Sequence, residues 1–137
     1  MTDDEPTDDE PTDDEPTDDE PTDERWARGA EMFTAVTGMP APNRGDDYMA
    51  DVVVDQVFAE IWTRPGLTRK ERRWIAITCA CMTGAPVPME VHLGTALRSG
   101  DITVDELQEF VVQFAVYAGH PKATAARAAL DAVRGDR

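Results

Sequence analysis

The chain has 137 residues, with 28 acidic and 13 basic side chains and a formal charge of −15, the size of a single domain. Residues 1–24 hold 14 of the acids and no base, so the remaining body carries 14 acids against 13 bases and is close to neutral. A neutral body without a basic stripe excludes phosphate-backbone recognition, and no nucleic-acid partner is expected. The most apolar stretch, 74–82, is far short of the roughly 20 residues a spanning helix needs, so no membrane partner is expected either.

From the amino terminus, Thr-Asp-Asp-Glu-Pro repeats without change at 2–6, 7–11, 12–16 and 17–21. Repelling charges, prolines and the lack of anything to bury predict an extended, disordered acidic tail over 1–22, followed by a body over 23–137. Composition favours a neutral tandem expansion over a partner-binding tail. The opening Met-Thr-Asp-Asp-Glu has neither the positive nor the apolar region of a secretory signal, which makes a cytoplasmic location the default expectation. In that compartment Cys79 and Cys81 are expected to be free thiols.

Next come six helical patterns. Trp26, Ala30, Phe33 and Val36 share one side of a first helix from Asp23 that stops at Gly38-Met39-Pro40. Asp46 or Asp47 caps a second, with Tyr48, Met49, Val52, Val57, Phe58 and Ile61 at three- and four-residue spacing up to Arg64-Pro65-Gly66. Thr68 and Glu71 form a capping box for a third over 69–83, ended by Gly84, Pro86 and Pro88. A fourth runs from about Met89 to Ser99, with Gly100 at its end. Thr103 and Glu106 cap a fifth, striped by Leu107, Phe110, Val111, Phe114 and Ala118, and Pro121 opens an alanine-rich sixth reaching Val133. Nothing alternates as a strand would, so the fold class is all-α. The third and fifth helices are apolar around most of their circumference, and a 113-residue bundle can enclose only one such helix, which points to an oligomer.

For chemistry, the chain offers no phosphate loop, no paired histidines at metal spacing and no nucleophile elbow, so neither metal nor nucleotide is expected. Cys79 and Cys81 are two residues apart, about 200° around a helix, and read as small core residues rather than a redox pair. His92, beside Leu93, Ala96 and Leu97, fits either a packed core imidazole or a general acid working near neutrality. His120 precedes Pro121 at a helix start and reads as structural. Glu60 sits among Ala59, Ile61 and Trp62, and if buried it needs a cation, for which Arg64 or the run Arg69, Lys70, Arg72, Arg73 is near in sequence. That run reads as a solvated face, or else as a site for an anion. Four cations in one first turn oppose the helix dipole and call for a reason.

Three blocks, Glu60-Ile-Trp-Thr-Arg-Pro-Gly-Leu67, His92-Leu-Gly-Thr-Ala-Leu-Arg-Ser-Gly100 and Phe114-Ala-Val-Tyr-Ala-Gly-His-Pro-Lys-Ala123, resemble the carboxymuconolactone decarboxylase family in order and spacing, over about 47–133. The resemblance implies an all-α, alkyl-hydroperoxidase D-like homo-oligomer, a trimer or hexamer, with sites near subunit contacts. It also implies cofactor-free loss of carbon dioxide from 4-carboxymuconolactone, a small organic acid met in aromatic degradation. His92 matches the motif histidine and is the implied proton donor and oxyanion stabiliser, while Glu60 orients it or relays the proton. Arg64 is the implied ligand of a second substrate carboxylate, with Arg73 and Tyr117 as further substrate-binding candidates, although Tyr117 suits packing as well. The sibling activity, thiol-dependent peroxide reduction, places cysteines where this chain has Ala85 and Pro88. The third possibility is a non-catalytic oligomeric member of the fold.

Overall fold

A computed structural model describes residues 22–135, and the acidic repeat lies outside them. Among the described residues there is no strand. The helices are α1 (Thr22–Thr37), α2 (Tyr48–Val52, continuing directly as π-helical turns over Val53–Ile61), α3 (Arg69–Thr83), α4 (Pro86–Ser99), α5 (Val104–Ala118) and α6 (His120–Arg134). The expected capping boxes are both present: Thr68 Oγ1 accepts from Glu71 N while the Glu71 carboxylate accepts from Thr68 N, and Thr103 and Glu106 do the same.

The third helix has the expected bounds, but the start of α4 and the form of the second helix differ from the sequence reading. Helix α3 ends at Gly84 alone, whose left-handed φ of 70° a side chain would resist. Pro86 and Pro88 do not stop it but open α4 three residues before Met89, in the first turn, where a missing N–H costs nothing. The second helix was expected as a regular α-helix, yet most of it is π. This segment runs close against α1: a Cβ on Gly29 would stand 2.4 Å from the Val54 carbonyl oxygen. The bare glycine lets the two backbones meet. The wide turns leave carbonyls for side chains to satisfy: Arg25 donates to Asp55 O at 3.1 Å, and Arg28 donates to Ala59 O at 3.2 Å.

Helix α4 is central, packing on α3, α6 and α1, while α5 lies on α6 and α1 on α2. The main core joins Ile77, Cys81, Met89, Leu93, Ala96, Ile102, Leu107, Phe114, Ala126 and Leu130. Neither α3 nor α5 is enclosed: Ile75 on α3 and Val112, Val116 and Tyr117 on α5 are largely exposed. Trp74, Phe110 and Phe114 stack in sequence, with ring centroids 5.6 and 5.3 Å apart. Together with these exposed α5 side chains they line an open groove of about 810 Å³ whose rim carries Asp105, Glu106 and Glu109.

Candidate active site

The cation run on α3 is explained inside the fold. Asp101, one residue beyond the Gly100 turn that ends α4, accepts from Arg69 Nε and Nη2, each at 2.7 Å, and from Arg73 Nε at 2.6 Å. Lys70 reaches Glu106 at 2.5 Å, and Arg72 donates to the Arg64 carbonyl at 2.8 Å. The run is therefore a clamp from α3 to its surroundings rather than a solvated face or a ready anion site. The Arg69 hydrogen bond foremost, with Arg73 adding to it, holds the Asp101 carboxyl well below the usual carboxylate range.

Arg73 was expected to bind substrate, and the structure gives it other work. Its side chain is wholly buried. Besides Asp101 it donates from Nη1 to Val36 O at 3.1 Å and from Nη2 to Ala35 O at 2.8 Å, closing the last turn of α1. No guanidinium nitrogen is left at the surface. Thr95 of α4 completes the same junction by donating to Thr37 O at 2.9 Å.

His92 is half-buried on α4, one turn before Thr95. Its Nδ1 is buried and meets no hydrogen-bond partner among the described residues. Burial, followed by the positive charge of Arg73, pushes the imidazole below its usual value near 6.5, so it is held neutral. A half-buried neutral imidazole can accept a proton when an anion arrives and deliver it afterwards.

No hydrogen bond or ion pair among the described residues joins His92 to Arg64 or Tyr117. Glu60 is half-exposed on the π-helical end of α2, and its partner is Arg25 of α1 at 3.1 Å, not Arg64 or the α3 run. Arg64 lies exposed in the turn before α3, and Tyr117 lies exposed in the α3/α5 groove. No hydrogen bond or ion pair joins Glu60 to His92 among the described residues. Cys79 is exposed, contrary to the expectation of a core position, while Cys81 is buried and its thiol is pushed up to about 11 by desolvation. Such a thiol stays protonated near neutrality and is a poor nucleophile. Asp101 was missed by sequence reasoning, though the unexplained cation run was the signal that an internal acid was owed.

Fold and site define an all-helical protein built around a central helix, α4, that carries the half-buried His92. A family model described as "Carboxymuconolactone decarboxylase family" matches residues 49–132, and the chain belongs to that family. It is 31% identical over 110 residues, 75% of this chain and 81% of the relative, to a 4-carboxymuconolactone decarboxylase of Acinetobacter baylyi. It is also 30% identical over 71 residues, 52% of this chain and 49% of the relative, to a nitrosuccinic acid decarboxylase of Metarhizium robertsii. Both relatives are decarboxylases by name.

Proposed function

We propose that the protein is a cofactor-free decarboxylase acting on a small activated dicarboxylic acid, 4-carboxymuconolactone or a related lactone or keto acid, with His92 as proton donor. The observation that carries this is the partly buried, neutral His92 within the region matched by the family. The two relatives' named substrates share a chemistry that fits: each acid carries an electron-withdrawing group, a conjugated lactone or a nitro group, able to take the electrons a departing carboxylate leaves.

In the reaction, the bond between carbon and carboxylate breaks, carbon dioxide departs, and the electron pair passes into the conjugated system as a dienolate. A dianionic ligand raises the proton affinity of the imidazole beside it, so the proton enters with the substrate. His92 then gives it to the carbanion and regains one from solvent, consuming one proton per carbon dioxide released. Partial burial at His92 favours the neutral carbon dioxide over the carboxylate. Arg64, whose exposed guanidinium makes no hydrogen bond among the described residues, is the candidate for the second carboxylate.

The exposed apolar side chains of α5 support assembly of several copies, a trimer or hexamer, in which residues of a neighbouring copy complete the site at His92. The test is turnover of 4-carboxymuconolactone by the full chain in deuterated water, followed by NMR. One deuterium on the ring carbon next to the lactone carbonyl, where the dienolate takes its proton, is expected, with no product from His92→Ala. Unchanged turnover in His92→Ala would overturn the assignment.

A further inference from the structure

The cation run on α3 is a clamp at three of its four members, since Arg69 and Arg73 end on Asp101 and Lys70 ends on Glu106. Arg72 is the exception, because its acceptor is a carbonyl and leaves its charge uncancelled. Its Nη2 donates to Arg64 O at 2.8 Å, and its Nε is buried without a partner. That bond fixes Arg72 against a residue whose own guanidinium is exposed and makes no hydrogen bond among the described residues. Two arginines thus meet in the turn from α2 to α3, and no acid pairs with either among the described residues. Glu71, next in sequence, is occupied by the Thr68 N–H and hydroxyl, and Glu60 by Arg25.

Like charges brought together repel, and an N–H taken out of water without an acceptor adds to the cost, so the pair calls for an anion from outside. We infer that Arg72 and Arg64 form a binding site for the carboxylate of a small organic acid, with Arg72 as its fixed wall and Arg64 as the arm that closes on it. A carboxylate brings the missing charge and two acceptor oxygens, one for Arg72 Nη1, which makes no hydrogen bond among the described residues, and one for the Arg64 fork. Holding one of the two donors in place beforehand lowers the ordering cost of binding. That the ligand is the substrate, held by the carboxylate it keeps, rests on the reading of the protein as a decarboxylase of diacids; the binding of a carboxylate stands on the two arginines alone.

The test is a titration of the full chain with succinate at constant ionic strength, read by NMR at the arginine side chains. Arg64 and Arg72 are expected to shift along one saturable curve, while Arg127, already paired with Asp131, stays in place. Arg72→Gln and Arg64→Gln are each expected to weaken succinate about tenfold or more, and Arg72→Lys, which keeps the charge without the fork, is expected to recover part of the loss. Shifts spread evenly over the surface arginines, or unchanged succinate affinity in either Gln variant, would overturn the site. Should Arg72→Gln fail to fold, Arg64→Gln decides, because an exposed side chain that makes no bond can be replaced with the fold intact. With 4-carboxymuconolactone, both Gln variants are expected to raise KM severalfold and to change kcat less. No turnover by wild type would sink the decarboxylase reading and leave succinate binding to decide the site, whereas turnover with unchanged KM in both variants would contradict its use by the substrate.

Discussion

His92 and Arg73 show how the same burial serves two different groups. The imidazole is kept neutral at small cost because its uncharged form is the one burial favours, whereas Arg73 stays charged only because Asp101 and two carbonyls replace its water. Arg73→Met therefore strips the α1 terminus of two donors and is expected to cost about 3 kcal/mol in urea unfolding. Conversion of surface Arg127, paired with Asp131 across one helical turn, is expected to cost under about 0.5 kcal/mol. The pH dependence of stability has two stages. His92 binds its proton less readily folded than unfolded, so stability is complete above about 6.5 and declines as pH falls through that value. Asp101 binds its proton less readily folded as well, and its contribution, present above 3.8, is lost as pH falls below that value. Urea midpoints measured down the pH scale check both stages, and His92→Gln is expected to remove the upper one.

At the scale of elements, the meeting of α1 and α2 rests on Gly29. A methyl group there collides with a backbone oxygen, which cannot rotate away as a side chain would. Gly29→Ala is expected to destabilise by about 2 kcal/mol and to loosen α2, read as a lower melting temperature and faster amide exchange over 53–61. The helices themselves were legible in the sequence, because apolar spacing and the Thr68/Glu71 and Thr103/Glu106 boxes are local signals. The π-helical turns were not, since the groups they meet, Gly29, Arg25 and Arg28, lie some thirty residues earlier in the chain. Glu60 illustrates the same limit: its partner Arg25 is 35 residues away, while Arg64, nearer in sequence, makes no bond to it and the α3 cations are bonded to Asp101, Glu106 and the Arg64 carbonyl. At the site, His92 could be singled out from its block, but Arg73's role depended on Asp101, which only folding brings beneath it. Pro86 and Pro88 carried a signal read in the wrong direction, for a proline that ends one helix also fits the first turn of the next.

For the whole molecule, the open question posed by the sequence, which apolar helix is enclosed, has the answer that neither is within one chain. Val112, Val116 and Tyr117 remain exposed beside an aromatic groove. Sedimentation is expected to give a mass several times 15.1 kDa, and a Val112→Glu/Val116→Glu variant is expected to fall toward the single chain with its helix content intact. A wild type that sediments as one chain would remove the assembly from the account. The most direct test of the central claim is the ultraviolet absorbance of 4-carboxymuconolactone followed with wild type and His92→Ala, each shown by gel filtration to have the same assembly. Decay with wild type alone is the predicted result; no decay with wild type, or equal decay with His92→Ala, would contradict it.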